Sequence, residues 1–227
     1  MLTHGPWTAV PGLRHGFLDG RECATAPDWA AVLAATGSPW PIRLPRQVHG
    51  ARVVTAAAWS IAPEADAVVT DAPGQLAGIV TADCVPVLLV ARAPRVVAAV
   101  HAGWRGAAAG VLEAAVDRLH AEFDVPAEAL EAAIGPAVGP CCYEVGAEVR
   151  DAFRARTGRL TATAWQEASA RFRVDLRAVA RLLLAASGVT TVATLGPCTA
   201  CGSGYASYRR DGPGAGRQLS FAGWVAP

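Results

Sequence analysis

The sequence predicts an α+β protein built in layers, and three observations support this fold class. The chain has 227 residues, of which 52% are hydrophobic, so it can bury a sizeable core. Its β-branched runs follow one another between residues 51 and 106, whereas the helical patterns stand apart from them. The regular alternation of strands and helices that a doubly wound parallel sheet requires is missing. We expect a single domain over residues 1–227.

The first half of the chain predicts one short helix followed by a series of strands. The segment APDWAAVLAATGS, residues 26–38, has Asp28 at a helix start and Gly37 at a helix end. Residues 81–106 have a strand, turn, strand pattern, which predicts a hairpin with its bend near Ala93. Three β-branched runs separated by Pro and Gly predict further strands: ARVVTA at 51–56, ADAVVTD at 65–71 and AGIVTAD at 77–83.

The second half of the chain mixes helical patterns with isolated strands. Residues 107–124 place apolar side chains at helical spacing directly after the glycine-flanked turn HAGWRG. Residues 145–158 predict another helix, and residues 174–188 predict a third that Asp175 caps and Gly188 ends. The remaining predictions are a helical turn and strand in VPAEALEAAIGP at 125–136, a buried strand in VTTVATLG at 189–196, and a hairpin in the tail at 205–226.

Composition narrows the classes of function. The formal net charge is +1 and the charged residues form no basic stripe, so we expect neither a nucleic-acid nor a membrane partner. All 20 basic residues are arginine, which excludes a lysine Schiff base and a P-loop lysine. No segment approaches the roughly 20 apolar residues of a membrane span, and the N-terminal sequence lacks a secretory pattern. We therefore expect a cytoplasmic protein whose partner is a small molecule.

Cys84 and His101 lie on either side of the predicted hairpin bend. Counted from Ala93, Cys84 is nine residues back and His101 eight residues forward, so their side chains can meet at the open end of the hairpin. A buried core cysteine beside a satisfied histidine is the alternative interpretation. His49, just before another strand, supplies a third candidate ligand, and two histidines with one cysteine can form a catalytic zinc site. The other three histidines, at 4, 15 and 120, are expected to lie at the surface or to pack.

The remaining cysteines are interpreted as reduced thiols, because six cysteines in this chain are few for a secreted disulfide scaffold. Cys198 and Cys201 form a C-x-x-C motif. With the adjacent pair Cys141 and Cys142, this motif could hold a four-thiolate structural zinc or form a redox pair. The motif lies at the end of a strand rather than at the start of a helix, which is a poor match to thioredoxin. We therefore favour unligated thiols.

Several motifs occur in the order and spacing of a known family. From about residue 40 to the C-terminus, QVHG, TADCVPVLL, AAVHAGWRG, AIGPAVGPCCYEVG, VDLRAVARLLL and SYRRDG resemble the YfiH/YlmD family, historically labelled multicopper polyphenol oxidase or laccase-domain proteins. The resemblance implies a four-layer α-β-β-α sandwich with mixed sheets. It also implies one zinc ion bound by His49, Cys84 and His101. A multicopper oxidase needs a larger cluster of histidines, and this chain has five in all.

The resemblance further implies a purine nucleoside enzyme. Family members are described as phosphorylases acting on adenosine, inosine or methylthioadenosine and as adenosine deaminases, so purine nucleosides and phosphate are the expected partners. Beside the ligands, Gln47 could orient the substrate, and Asp83 could act as acid/base or as the partner of a zinc histidine. A turn residue and a solvated carboxylate are the respective alternatives. Arg209 and Arg210 are candidate phosphate ligands, or else a solvated pair.

Two further classes of function stay open from the sequence. Cys84 with His101 as its base would make a cysteine hydrolase or amidase. A zinc-binding interaction protein without catalysis is the third class. Metal content separates the hydrolase from the two zinc proteins, and activity on adenosine separates the nucleoside enzyme from the interaction protein.

Overall fold

The computed structural model describes residues 1–24, 26–56, 59, 61–168 and 171–225. Within these ranges the helices are α1 (Gly5–Thr8), α2 (Trp29–Ala35), α3 (Trp104–Ala109), α4 (Val111–Phe123), α5 (Ala147–Thr157), α6 (Leu176–Ala186) and α7 (Tyr208–Asp211). The strands are β1 (Leu13–Phe17), β2 (Ile42–Arg43), β3 (Val53–Thr55), β4 (Ala67–Thr70), β5 (Leu76–Thr81), β6 (Val85–Arg92), β7 (Arg95–Ala102), β8 (Glu131–Ile134), β9 (Glu144–Val145), β10 (Trp165–Ala168), β11 (Arg171–Val174), β12 (Thr191–Thr194) and β13 (Gln218–Trp224).

The strands form three sheets. The largest has six strands in the order β12-β8-β6-β7-β4-β3, and a second has four in the order β1-β13-β5-β2. Both are mixed, because β12 pairs with β8, β3 with β4 and β2 with β5 in parallel, whereas their other pairings are antiparallel. A third, small sheet joins β10, β11 and β9. The predicted hairpin is confirmed as β6 and β7 at the centre of the six-stranded sheet.

The central hairpin explains the layering of the molecule. Successive strand side chains point to opposite faces, and here both faces are buried. Val87 and Leu89 pack with the helices α4 and α6, whereas Leu88 and Val90 pack with the four-stranded sheet. Helix α2 covers the far side of that sheet, where Leu33 belongs to the same apolar cluster as strand β13. The layers therefore run helix, sheet, sheet, helix, which confirms the predicted α+β fold class and the four-layer arrangement.

Helices α2, α5 and α6 lie where the sequence predicted them. The side chain of Asp28 accepts a hydrogen bond from the backbone N–H of Ala31, and Asp175 accepts from the first turn of α6, so both act as N-caps. Gly188, just past the end of α6, has a φ of 92° that favours glycine. Among the described residues, none of the helices has the length and apolar character that a membrane crossing requires.

The predicted helix over 107–124 is interrupted, because Gly110 adopts a left-handed φ of 96°. The segment forms α3 and α4 instead of one helix. A Cβ atom at Gly110 would lie 2.3 Å from the guanidinium of Arg156, so a larger residue would displace that side chain in addition to straining the left-handed backbone. Arg156 itself pairs with Glu113 at 3.0 Å, which explains why the break is packed against α5. Sequence spacing alone did not reveal a tertiary contact of this kind.

Two further strand predictions were wrong in part. Strand β12 forms, but it lies at the edge of the sheet and exposes Thr191 and Thr194, so it is not a buried strand. The tail is not a hairpin: α7 is followed by a single strand, β13, which pairs with β1 on one side and β5 on the other. Strand β13 thus lies between two strands, β1 and β5, that are far from it in the sequence. Residue 226 of the predicted tail lies outside the described residues.

His15 on β1 is a buried packing residue, as the sequence allowed. Its Nε2 atom accepts a hydrogen bond from the backbone N–H of His4 at 2.9 Å, which requires a neutral ring. Its imidazole also meets Trp7 edge to face, with ring centroids 5.2 Å apart. Burial lowers the pKa of His15 to about 4 from an ordinary value of 6.5. The protonated ring is therefore disfavoured in the folded protein.

This shift predicts a contribution of His15 to acid sensitivity. The pKa is lower in the folded than in the unfolded state, so between pH 6.5 and 4 the unfolded chain binds the extra proton. The free energy of unfolding therefore decreases as the pH is lowered through that window. Replacing His15 with Gln should make the free energy of unfolding less dependent on pH by on the order of 2 kcal/mol over this range. Urea unfolding at several pH values measures it. The exposed His120→Gln variant is the control, and equal slopes in all three proteins would contradict the expectation.

Candidate metal centre and ligand cavity

The three predicted ligands meet at the open end of the central hairpin. One ligand atom each from His49, Cys84 and His101 lies within 4.8 Å of the others. His101 pairs with Pro86, so Cys84, two residues earlier, is its diagonal neighbour on the same face of the hairpin. The His49 ring approaches from the loop before β3, with its centroid 4.8 Å from that of His101. Counting residues from the bend thus correctly predicted that Cys84 and His101 are close together. They are diagonal neighbours, however, and not directly paired across the two strands.

Unusual backbone conformations accompany this convergence. His49 has a φ of 61° and Asp83, next to Cys84, has a φ of 80°. Left-handed conformations are uncommon for residues other than glycine and cluster at functional sites. Gly103 completes the approach, because a Cβ atom there would lie 3.0 Å from the sulfur of Cys84 and 3.2 Å from the ring of His49. The left-handed backbone at His49 and Asp83 and the absence of a side chain at Gly103 therefore allow the three candidate ligands to converge.

The buried carboxylate of Asp66 holds two of the ligands in place. It contacts Nδ1 of His101 at 2.7 Å and accepts backbone N–H groups from His49 at 2.9 Å and Gly50 at 2.7 Å. With Nδ1 facing the carboxylate, Nε2 of His101 is left to face Cys84. Asp66 was not among the residues predicted for the site. An acidic residue at the start of an otherwise apolar strand was the signal that could have found it.

The charges of this group are coupled. Burial raises the pKa of the Cys84 thiol, but the neighbouring rings of His101 and His49 outweigh burial and bring the pKa to about 6. Burial lowers the pKa of His101, whereas Asp66 and Cys84 together raise it above its ordinary value. Hydrogen bonds likewise outweigh burial at Asp66 and lower the pKa of its carboxyl. Cys84 is thus held ready as a thiolate, the form in which cysteine binds metals.

Gln47 lies at the edge of the site, and its side-chain amide forms hydrogen bonds with the backbone. Its Nε2 donates to the carbonyl of Val80, and its Oε1 accepts the N–H of Val80, each at 2.8 Å. The amide therefore mimics a strand pairing and ties the loop that carries His49 to β5. This arrangement favours a role in positioning the loop. The prediction that Gln47 orients the substrate stays a prediction.

Asp83 is buried rather than solvated, and its carboxylate faces the C-terminal segment. It accepts hydrogen bonds from the hydroxyls of Thr199 at 2.5 Å and Ser207 at 3.0 Å, and from the backbone N–H of Arg209 at 2.5 Å. The carboxylate partner of the histidine His101 is Asp66. The contacts of Asp83 favour an anchor for the segment before α7, and its role as acid/base stays a prediction.

The two predicted phosphate ligands have different surroundings. Arg209 lines the cavity above the metal ligands, and its guanidinium also donates to the carbonyls of Cys142 and Glu144. The guanidinium of Arg210 instead donates to the carbonyls of Thr199 and Tyr205, and Arg210 is not among the residues that line the cavity. The structure therefore brings Arg209 to the site and leaves Arg210 to brace the loop behind it.

A cavity of about 700 Å³ opens over the three ligands. This volume suits a nucleoside-sized molecule. Besides Arg209, its wall contains Arg105 and Arg217, two arginines that carry no functional signal in the sequence. The aromatic side chains of Trp104, Tyr143 and Tyr208 complete the wall. The cavity thus combines candidate metal ligands, positive charge and flat apolar surfaces.

Four other cysteines also converge. One sulfur each from Cys141, Cys142, Cys198 and Cys201 lies within 4.8 Å of the others, on the surface behind the cavity wall. The sequence left a four-thiolate site open as an alternative, and that alternative requires this proximity, whereas the favoured interpretation as unligated thiols does not. The adjacent pair and the C-x-x-C motif belong to loops that follow different strands, so the sequence could not show that they meet.

The fold and the site together define a class: a four-layer α+β protein with a His, Cys, His candidate metal centre at the floor of a ligand-sized cavity. Comparison with known proteins gives the particular family. A family model described as multi-copper polyphenol oxidoreductase laccase matches residues 21–225. The chain belongs to this family, and the resemblance to YfiH and YlmD is confirmed.

Curated relatives and solved structures agree with this assignment. Purine nucleoside phosphorylase PA4543 from Pseudomonas aeruginosa is 46% identical over 166 residues, which cover 72% of this chain but 66% of that protein. Purine nucleoside phosphorylase YfiH from Escherichia coli K12 is 39% identical over 210 residues, covering 89% of this chain and 84% of that protein. The crystal structure of YlmD from Geobacillus stearothermophilus superposes with a TM-score of 0.86 at 27% identity, covering 98% of this chain and 94% of the other.

The role of Asp66 leads to a prediction for metal affinity. Asp66→Asn keeps the size of the side chain but removes the charge and one acceptor, so we expect the affinity of the candidate site for a metal ion to fall roughly 10–100-fold. The free energy of unfolding should also fall by about 1–3 kcal/mol, because the buried Nδ1 of His101 loses its charged partner. Competition with a chelator measures the affinity, and urea unfolding measures the stability.

Asp71→Asn is the matched control, since Asp71 is an exposed carboxylate just past the other end of the same strand. It should leave both quantities unchanged. If Asp66→Asn bound a metal ion as tightly as the unmodified protein, the positioning role assigned to Asp66 would be wrong.

Proposed function

We propose that this protein is a zinc-dependent purine nucleoside phosphorylase. It would cleave adenosine, inosine or methylthioadenosine with phosphate, giving the free base and the sugar 1-phosphate, and would deaminate adenosine as a second activity. The observation that carries the proposal is the cavity in which a His, Cys, His set lies beneath arginines and aromatic side chains. Relatives named purine nucleoside phosphorylases support the reaction class.

The donor set fits zinc. Two imidazoles and one thiolate are zinc ligands that leave a coordination position open, as catalytic sites require. Blue copper sites add a weak axial ligand, commonly methionine, and the single methionine of this chain, Met1, packs against Gly16 on β1. Apart from the four cysteines, the described residues form no second cluster of candidate ligands that a multicopper enzyme could use. The proposal therefore keeps zinc, despite the copper in the family's description.

The arginines of the cavity provide the phosphate site. Arg105 lies with its guanidinium 4.4 Å from the ring centre of Trp104, which holds the charge at the cavity wall. Guanidinium groups bind oxyanions with paired, charge-assisted hydrogen bonds. Arg209 and Arg217 give part of their hydrogen-bonding capacity to backbone carbonyls. Arg105 is therefore the arginine best placed to take up phosphate.

The aromatic side chains provide a surface for the purine base. Tyr208 is 55% exposed although it lines the cavity, so its ring is available to a flat ligand. Burial raises the pKa of Tyr143, which keeps its phenol protonated as a hydrogen-bond donor. In phosphorolysis a phosphate oxygen bonds to C1′ while the bond from C1′ to the base breaks, and the base leaves with the electron pair. A protonated donor in the wall can stabilise that leaving base.

Zinc held by His49, Cys84 and His101 would supply a Lewis acid for an oxygen of phosphate or ribose. The remaining tasks belong to the protein. Asp66 keeps Nε2 of His101 directed at the site, and Asp83 anchors the segment that carries Arg209.

The proposal predicts phosphate-dependent cleavage of adenosine and inosine. Zinc-loaded protein should release adenine and hypoxanthine when phosphate is present, with product identification by chromatography; inosine formed from adenosine would report the deaminase activity. Arg105→Ala should raise the KM for phosphate roughly 10–100-fold, because a charge-assisted contact worth about 1.5–3 kcal/mol is lost. The KM for the nucleoside should change less.

Arg181→Ala is the control variant, because Arg181 is an exposed arginine on α6. It should leave both KM values unchanged. Zinc-replete protein that leaves adenosine and inosine intact, with and without phosphate, would disprove the proposed activity.

A second candidate function has an observation of its own. Cys84, His101 and Asp66 form a chain of nucleophile, base and orienting carboxylate, the arrangement of a cysteine hydrolase. Such an enzyme needs no metal and assigns no necessary role to His49.

Thiol reactivity separates the two candidates. If Cys84 binds zinc, a thiol reagent should modify it slowly in the metal-loaded protein and faster after chelation, as measured by mass spectrometry of the modified peptide. His49→Ala, Cys84→Ala and His101→Ala should then lose zinc and activity together. A metal-free wild type with a fast-reacting Cys84, and full activity in His49→Ala, would favour the hydrolase.

A further inference from the structure

The four cysteines behind the cavity wall converge from two loops. Cys141 and Cys142 follow strand β8, and Cys198 and Cys201 follow strand β12. The sulfur of Cys201 lies 3.1 Å from that of Cys142 and 3.5 Å from that of Cys141. A redox pair needs two thiols, whereas all four sulfurs here lie within 4.8 Å of one another. This number of converging thiols is that of a closed metal site.

We propose that Cys141, Cys142, Cys198 and Cys201 bind a second, structural zinc ion. Sulfurs bound to one tetrahedral zinc at about 2.3 Å lie about 3.8 Å from one another, a spacing that small side-chain rotations of these residues can reach. The C-x-x-C spacing of Cys198 and Cys201 is typical of structural zinc sites. Since four protein ligands close the coordination shell, this zinc holds no substrate, unlike a metal at the His, Cys, His centre.

The surroundings of the cluster suit negatively charged thiolates. The backbone N–H of Gly139 donates to the sulfur of Cys198 at 3.1 Å. A Cβ atom on Gly139 would lie 3.4 Å from the sulfur of Cys141 and 3.6 Å from that of Cys198, so glycine leaves room beside the ligands. Four thiolates and one Zn²⁺ carry a net charge of −2. The guanidinium groups of Arg209 and Arg210 lie on the backbone carbonyls of the same two loops and offset this charge.

The second zinc would fix the wall of the cavity. The bridge between Ala137 and Cys198 joins the two loops through the backbone, and the side chain of Thr199 reaches Asp83 from there. Arg209 ties the carbonyl of Cys142 to the same segment. A metal on the four sulfurs would therefore hold Arg209 and Asp83 in their places from behind. Its loss should loosen the wall without removing the ligands of the first centre.

Metal content tests the second site independently of any nucleoside activity. Protein purified under reducing conditions and analysed by elemental analysis should contain two zinc ions per chain. Cys201→Ser, a small change at an exposed position, should lower the content to one and reduce the thermal midpoint by several degrees. Cys84→Ala should also retain one zinc, and the double variant none. The Cys23→Ala control, at a cysteine outside both clusters, should keep two.

Cobalt gives a second readout of the ligands. Cobalt-loaded protein should show intense thiolate-to-cobalt absorption, most of which Cys201→Ser removes and Cys84→Ala keeps, because the second site has four thiolates and the first has one. One zinc per chain in the reduced wild type, with the same content in Cys201→Ser, would overturn the proposal. So would a disulfide between these loops in place of the second metal, or iron with acid-labile sulfide. Each of these outcomes leaves the phosphorylase proposal untouched, because that proposal depends on the first centre.

Discussion

The buried carboxylate of Asp66 is the contact on which the architecture of the site depends. It joins three parts of the chain: the loop at residues 48–50, the start of β4 and the end of β7. Its backbone takes part as well, because the N–H of His101 donates to the carbonyl of Asp66. Without this carboxylate, the buried Nδ1 of His101 would lose its partner, at about 1–3 kcal/mol, and the part-buried N–H groups of residues 48–50 would lose theirs as well. One side chain thus couples the stability of the sheet edge to the geometry of the histidines.

The sequence predicted the elements whose signals are local. Asp28 and Asp175 cap helices with their own side chains, and the hairpin of β6 and β7 follows from apolar runs on both sides of a Pro-containing bend. The wrong predictions concern elements whose state depends on distant partners. The tail strand β13 pairs with β1 and β5, and Gly110 breaks a helix against Arg156. No local pattern records such contacts.

In the candidate site, too, the residues with local sequence signals could be predicted, whereas those defined by distant contacts could not. His49, Cys84 and His101 could be found because their residue types are rare and chemically specific, and because motifs of the family surround them. Asp66 belongs to a common residue type, and only its burial reveals its role. Asp83 was found for its position beside Cys84, yet its partners Thr199 and Ser207 lie more than a hundred residues away. The chemistry of ligands is visible in one sequence, whereas the network that aims them is a property of the folded chain.

The burial of the central hairpin on both faces has a consequence for the nascent chain. Strands β6 and β7 carry charges only next to the bend, at Arg92 and Arg95, and their other residues are almost all apolar. The hairpin can form early because its contacts are local. The sheet that covers one face cannot form as early, since it needs β13, which follows the other described strands along the chain. Until β13 has paired, the hairpin exposes apolar side chains that can aggregate. The charges of Arg92 and Arg95 oppose this aggregation, as gatekeeper residues do. Correct folding is therefore favoured when the hairpin stays uncovered only briefly, or when chaperones shield it until β13 has paired.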